Sequence, residues 1–216
     1  KETLIQKLNK AQHSLENKLY SSRLILVSFG SAYYYQFVDT QRIAANCHRV
    51  SQKRFVKKRL DIDQIIQSWD DFLTELFKID AHKFIIFTVS PVRHLRDGLE
   101  ENTKSKAILQ LAIDQIIQKH SRTSYFPSYE IMIDDLRDYR FYGRDLLHPS
   151  AEAVDYIWEK FVHTYLDKSF QSFLGDAAKL KSFEEHVPRY SKPSEYENKV
   201  KQLQKNFYSK YPEISN

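Results

Sequence analysis

The stretch KFIIFTV at residues 83–89 decides the fold class of this chain. Its residues are mostly β-branched or aromatic, and Ser90-Pro91 ends it, which is typical of a strand buried on both faces of a sheet. The stretch RLILVSF at residues 23–29 has the same character and is ended by Gly30-Ser31. We therefore predict two buried strands, and a third, short strand around residues 129–133.

Segments with helical periodicity separate these strands. Apolar side chains recur at spacings of three and four over residues 2–20, 62–79, 104–119 and 150–170. Asp61 or Asp63 is expected to cap the second of these helices. Strands that alternate with helices of this length indicate βαβ units and a parallel sheet covered on both faces. The predicted fold is α/β, a three-layer α/β/α domain with a parallel sheet.

The chain divides at about residue 173. Residues 176–216 are rich in Lys, Glu, Ser and Tyr and contain three prolines, so we predict a basic, helical or partly extended tail. The predicted organisation is an α/β domain over residues 1–173 and a tail over residues 174–216. Three strands make a small sheet and the first residue is Lys1 rather than Met, so we expect part of the α/β domain to lie upstream.

The composition excludes several classes of protein. A content of 42% hydrophobic and 28% charged residues is ordinary for a globular protein, and no apolar stretch reaches the roughly 18 residues of a membrane span. Much of the net charge of +5 lies in two segments, residues 49–59 and residues 179–210. Because the sequence contains no nucleic-acid-binding module, we predict no nucleic-acid partner. The alternative role of the basic tail is to dock on an anionic polymer. Cys47 is the only cysteine, which excludes an internal disulfide and fits a reducing compartment such as the cytoplasm. No two histidines share the spacing of a helical metal site, so we predict no metal and no cofactor.

The most informative motif is Asp145-Leu146-Leu147-His148-Pro149, which a predicted helix follows at once. A carboxylate three residues before a histidine, on a loop that Pro149 turns into a helix, can lie against the imidazole. Such a pair is the orienting acid and the general base of a nucleophilic triad. The same pattern also occurs as a surface ion pair and helix cap, and no serine, cysteine or threonine lies in a convincing nucleophile turn.

Other polar residues follow the predicted strands, where functional groups collect in parallel sheets. A glycine lets the backbone approach a ligand and offer an amide, an asparagine amide can stabilise an oxyanion, and a histidine can act as acid or base. Each also has a plain interpretation as a strand terminator or a polar loop residue. The candidate oxyanion and pocket residues are Gly30, Ser31, Asn46, His48, Ser90 and His94.

The chain resembles the GSCFA-domain family, a branch of the SGNH (GDSL-like) hydrolases. The resemblance rests on several stretches in family order, of which SPVRH at residues 90–94 and FPSYEI-x₄-LRDYRFY at residues 126–142 are the most specific. The others are LILVSFGSAYYY at residues 24–35, ANCH at residues 45–48, SKAILQLAID at residues 105–114 and residues 145–161. The Gly-Ser-Cys-Phe-Ala motif that names the family does not occur in these 216 residues.

The resemblance implies a flavodoxin-like SGNH fold and a serine ester hydrolase that acts on a small-molecule or carbohydrate ester. It assigns the acid to Asp145 and the base to His148, with the nucleophilic serine upstream of this chain. It places Gly30-Ser31-Ala32 at a block whose asparagine position is Ala32, so Asn46 or the Gly30 amide is expected to substitute as oxyanion donor. Without the serine, the chain alone is expected to be inactive. The alternative is a non-catalytic carbohydrate- or acyl-binding domain of the same fold.

Overall fold

The computed structural model describes residues 3–44, 50–185 and 193–212, and the side chains of residues 193–195 are outside the description. Contacts between Cα atoms divide the chain into two units, Lys1–Ile157 and Trp158–Asn216. Our predicted boundary after residue 173 lies within α6. The helices and strands in chain order are α1 (Leu4–Ser21), β1 (Leu24–Phe29), β2 (Tyr33–Phe37), β3 (Ile43–Ala44), β4 (Phe55–Arg59), α2 (Ile62–Ile79), β5 (Phe84–Val89), α3 (Leu99–Lys119), β6 (Thr123–Phe126), α4 (Ser128–Glu130), α5 (Ala151–Tyr165), α6 (Lys168–Glu185) and α7 (Pro193–Lys210).

The centre of the first unit is a parallel sheet with the strand order β1-β5-β6. Leu24 pairs with Phe84 and Phe29 with Val89, so β1 and β5 end at the same edge of the sheet. The α2 and α3 helices pack together and supply much of the core beside β5. The predicted α/β fold with a parallel sheet and flanking helices is confirmed.

The two long strands differ in burial. In β5 the side chains of Ile85, Ile86 and Phe87 are fully buried, as predicted. In β1, however, Leu24 and Leu26 are 43% and 51% exposed, so the prediction that this strand is buried on both faces is wrong. Among the described residues β1 pairs with β5 alone, and no described element covers the face that carries these two leucines.

The helix boundaries follow from local capping. Asp61 caps α2, because its side chain accepts a hydrogen bond from the Gln64 amide while the Gln64 side chain accepts one from the Asp61 amide. The α3 helix begins at Leu99, five residues before the predicted start, directly after Gly98 with its positive φ of 89°. Asp167 accepts a hydrogen bond from the Phe170 amide at the start of α6, so the predicted helix over residues 150–170 is two helices.

The third strand of the parallel sheet lies earlier than predicted. It spans Thr123–Phe126, and the predicted strand at residues 129–133 is helical instead. Pro127 ends the strand because it has no amide hydrogen for the sheet, and α4 then continues into a π-helical turn at Ile131–Asp135.

A second, antiparallel sheet with the order β3-β2-β4 was not predicted. Tyr33 pairs with Arg59 and Phe37 with Phe55, and every residue of β2 is half-buried. The aromatic residues of β2 form a strand that starts two residues after the Gly30-Ser31 turn, and so bring β4 to the site described below.

The second unit contains the helices α6 and α7, which pack against each other. Phe173 contacts Phe207 and Tyr211, with ring centroids 5.7 and 5.0 Å apart. Asp176 accepts hydrogen bonds from Lys210 and from the Tyr211 hydroxyl at 2.7 and 2.8 Å. The described part of the predicted tail is therefore helical.

Candidate functional site

The Asp145–His148 loop places the acid against the imidazole. His148 Nδ1 lies 2.6 Å from Asp145 Oδ2, which is hydrogen-bond distance. The other oxygen, Oδ1, accepts hydrogen bonds from the amides of Leu147 and His148 at 3.0 and 3.1 Å. One carboxylate therefore shapes the loop with one oxygen and orients the imidazole with the other. We call Asp145 and His148 the dyad.

The loop is closed by its own backbone. The Gly143 amide donates to the His148 carbonyl at 2.7 Å, and the Leu146 amide donates to the Gly143 carbonyl at 2.9 Å. Leu146 has a φ of +56°, a left-handed conformation that a leucine rarely adopts. Tyr142 anchors the start of the loop in a small buried cluster with Met132, Leu136 and Ala153.

The electrostatics of the dyad favour an ionised acid. Hydrogen bonds from the Leu147 amide, then from the His148 side chain and the His148 amide, lower the pKa of Asp145 to about 2. The side chains are 48% and 63% exposed, and His148 Nε2 makes no hydrogen bond within the described ranges. An ionised carboxylate can hold the proton on Nδ1 and leave Nε2 free to accept another.

Arg93 fastens this loop to the end of β5. Its amide donates to the Leu147 carbonyl at 3.1 Å and its Nη1 to the Leu146 carbonyl at 3.3 Å. The guanidinium carbon also lies 4.0 Å from the centroid of the Tyr142 ring, a cation–π contact. The predicted loops after β5 and at Asp145–His148 are thus brought together, and Arg93 is a positioning residue that the sequence interpretation missed.

The loops after β1 and β5 also lie side by side. The Ser90 amide donates to the Phe29 carbonyl at 2.8 Å, and a Cβ atom on Gly30 would lie 3.5 Å from His94 Nε2. Burial lowers the pKa of the His94 imidazole, and the positive charges of Lys106 and Lys57 lower it further. The neutral form of the His94 imidazole is therefore favoured.

The structure adds a buried cation that the sequence interpretation missed. Lys106 is 1% exposed, and its Nζ donates to the carbonyls of Gly30 and Ser90 at 2.7 and 2.6 Å. Burial lowers the pKa of this ammonium to about 8. The sequence does contain a signal for it. Lys106 has the helical spacing of the buried stripe of α3, which runs from Asn102 and Ser105 through Lys106 to Leu109 and beyond.

Lys106 acts on the peptide unit between Gly30 and Ser31. A cation that binds the carbonyl of a peptide draws electron density from its N–H and makes that N–H a stronger donor. The amides of Gly30 and Ser31 make no hydrogen bond within the described residues, whereas the Ala32 amide donates to Ser105 Oγ at 2.8 Å. The Ser31 N–H is therefore made a stronger donor by Lys106, and it donates to no acceptor among the described residues.

A pocket of about 390 Å³ opens beside these groups. Ser31 and His94 from the strand-end loops, Leu147 from the dyad loop and Tyr33 from β2 all contribute to its wall. The complete lining is Ser31, Tyr33, Tyr35, Lys57, Arg93, His94, Leu95, Arg96, Asp97 and Leu147. The structure therefore gathers Ser31, His94 and Leu147 of the dyad loop around one pocket, and Gly30 lies next to His94 of its wall.

Two predicted candidates, Asn46 and His48, lie outside the described residues. Within the described part of the chain no group of three or more His, Cys, Asp or Glu side chains is placed to hold a metal ion. No helix in the same part is long and apolar enough to cross a membrane.

The fold and this strand-edge site are those of an α/β protein with an acid–histidine pair beside a pocket. Residues 1–161 match the model of the GSCFA family, and the chain belongs to that family. No curated protein and no solved structure matches the chain.

Proposed function

We propose that this chain carries the acid, the base and the pocket of a serine ester hydrolase. The observation that carries the proposal is the 2.6 Å contact between Asp145 and His148 in a loop closed by its own hydrogen bonds. Such a pair on a loop at the carboxyl edge of a parallel sheet is the usual base and orienting acid of acyl transfer. The resemblance of the family to SGNH hydrolases supports the same assignment.

In the proposed reaction, His148 Nε2 accepts the proton of a serine hydroxyl as that oxygen attacks the ester carbonyl. The proton on Nδ1 stays hydrogen-bonded to Asp145, whose negative charge stabilises the imidazolium. The imidazolium then gives its proton to the leaving alcohol as the C–O bond breaks. Water, deprotonated by the same nitrogen, resolves the acyl-enzyme and regenerates the serine.

The serine of this proposal lies outside the described residues. No described hydroxyl bonds to His148 Nε2, and Ser31 Oγ is engaged with the Tyr33 amide at 3.0 Å. The family's Gly-Ser-Cys-Phe-Ala motif, which does not occur in these 216 residues, supplies the candidate nucleophile.

The Ser31 N–H is the proposed oxyanion donor, together with the Gly30 N–H. Both are unused by the described residues, and Lys106 strengthens the first by binding the carbonyl of the same peptide. A donor of this kind typically contributes about 3 kcal/mol to stabilisation of the transition state. Asn46 stays a candidate for the same role.

A second function has its own supporting observation. The imidazole of His148 is 63% exposed and Nε2 has no partner in the described ranges, as expected for a polar group that contacts a bound ligand without catalysis. The alternative is therefore a non-catalytic carbohydrate- or acyl-binding domain.

The test is fluorophosphonate labelling of the complete gene product, with the modified peptide located by mass spectrometry. An adduct on a serine outside these residues, lost in His148→Ala, is the expected result. His120→Ala is the matched control, because His120 pairs with Asp70 at 3.0 Å before the start of β6, and this variant should still be labelled. An adduct on Ser31 would overturn the assignment of the nucleophile, and a folded protein without any adduct would support the binding domain.

A further inference from the structure

We propose that the pocket beside the dyad selects a ligand that carries a carboxylate or phosphate group. On the proposed hydrolase function, this ligand is the alcohol part of the ester, such as an acylated acidic sugar. The inference concerns recognition and not chemistry, so it can be tested by binding alone.

The side chains that line the pocket carry more positive than negative charge. Lys57, Arg93 and Arg96 contribute three positive charges, and Asp97 contributes the one negative charge of the lining. Lys57 and Asp97 form an ion pair and largely cancel each other. The two arginines are left without a carboxylate partner among the described residues, which leaves the pocket with excess positive charge.

Arg96 is the arginine of the wall with donors to spare. The Arg93 guanidinium donates to the Leu146 carbonyl and lies over the rings of Tyr142 and Tyr139, which line a neighbouring cleft, so Arg93 supplies positive charge beside the pocket. Arg96 makes no hydrogen bond within the described part of the chain. A guanidinium matches a carboxylate or a phosphate with two parallel hydrogen bonds, and a neutral alcohol offers no such match.

Tyr33, an aromatic residue of the pocket wall, is held by neighbouring charged side chains. Lys57 Nζ lies 4.5 Å from the centroid of the Tyr33 ring, and the Tyr33 hydroxyl donates to Glu101. Glu101 also accepts a hydrogen bond from Arg59 at 2.7 Å. Lys57 is therefore held between the Tyr33 ring and Asp97 and adds little free charge to the pocket.

A buried cation close to the pocket adds to the positive field. The Lys106 ammonium binds the Gly30 and Ser90 carbonyls, and no carboxylate among the described residues neutralises it. The His94 imidazole lies beside Gly30 on the pocket wall and brings no negative charge. Field lines concentrate in a cleft lined by one sign of charge, which attracts anions. The pocket volume of about 390 Å³ lies at the small end of ligand sites and suits one sugar residue.

The experiment is isothermal titration calorimetry of the complete gene product with glucuronate, glucose 6-phosphate and glucose. The expected result is that at least one anion binds tenfold or more tightly than glucose, and the stronger anion tells a carboxylate site from a phosphate site. Arg96→Gln should weaken that binding about tenfold, which corresponds to about 1.4 kcal/mol. Arg122→Gln is the matched control, since this exposed arginine precedes β6 at the opposite edge of the sheet and its loss should leave binding unchanged.

Equal binding of glucose and both anions, equal losses in the two arginine variants, or no binding of any probe to the folded protein would each overturn the inference. Hydrolysis of the acetyl esters of the same three compounds separates this inference from the proposed function. Anion binding without hydrolysis supports the pocket and refutes the hydrolase. Hydrolysis with equal kcat/KM for the neutral and the anionic esters supports the hydrolase and refutes the pocket.

Discussion

Replacement of the buried lysine, Lys106→Met, tests the electrostatics of the site most directly. Methionine has a similar length but cannot donate a hydrogen bond, so the variant leaves the Gly30 and Ser90 carbonyls without their donor. It also removes the cost of burying a charge. These two effects oppose each other, and pH changes only the second.

The magnitudes follow from the structure. Loss of a donor from a buried carbonyl costs about 1–3 kcal/mol, so two carbonyls cost about 2–6 kcal/mol. A folded-state pKa of about 8 in place of 10.5 means that burial costs the charged form about 3 kcal/mol near pH 7. At neutral pH the variant should therefore range from near wild-type stability to a few kcal/mol less stable.

The pH dependence has a definite sign. Because the folded pKa of Lys106 is depressed, the unfolded state binds more protons between pH 8 and 10.5, and wild-type stability from this group rises with pH. The variant lacks this rise. The difference in unfolding free energy between wild type and Lys106→Met should widen by about 2–3 kcal/mol from pH 7 to pH 10.

The assay is urea unfolding followed by the fluorescence of Trp69, which packs on Phe29 and Phe87 in the core of the first unit. A Trp158→Phe background leaves Trp69 as the only tryptophan of these 216 residues. Lys104→Met is the control, because Lys104 is exposed and ion-paired with Glu100, which raises its pKa, so its pH trend has the opposite sign. A difference for Lys106→Met that stays constant or narrows from pH 7 to pH 10 would refute the reasoning.

The remaining predictions concern the dyad and a helix cap. Asp145 should titrate at about pH 2 by carboxyl NMR, so its contribution to stability is present above pH 4 and is lost as the pH falls toward 2. Because the Leu147 amide is the largest cause, the pKa of Asp145 should stay below its ordinary value in His148→Ala, and a midpoint near 4 would contradict this account. Asp61→Ala should lower the unfolding free energy by about 1 kcal/mol through loss of the capping box, whereas Asp63→Ala, which makes no cap bond, should change the urea midpoint less.

The sequence predicted the features that depend on local pattern. The strand at residues 83–89 came from an apolar run and the helix at residues 62–79 from periodicity. The cap was predicted at Asp61 or Asp63 from a side-chain oxygen at a helix start, and the structure uses Asp61. The contact between Asp145 and His148 was predicted from their spacing of three residues and from Pro149, which follows them. Each of these features depends on residues that are close together in the sequence.

The features that were missed depend on tertiary contacts. The lack of cover over Leu26 reflects which elements lie beside β1, and no property of the strand itself reveals it. The antiparallel sheet pairs residues 33–37 with residues 55–59 across a long connection, and its aromatic residues suit a core equally well. Lys106 was passed over because a lysine is usually exposed, although its place on the buried stripe of α3 pointed inward.

The left-handed Leu146 has a consequence for the rate at which ligands associate. A non-glycine residue at a φ of +56° costs about 1 kcal/mol or more, and it persists only where surrounding contacts overdetermine the backbone. We therefore expect the loop to keep this shape in the free protein, without a slow opening or closing step of its own. A ligand that reaches His148 should bind in a single kinetic phase, with an observed rate that rises linearly with ligand concentration.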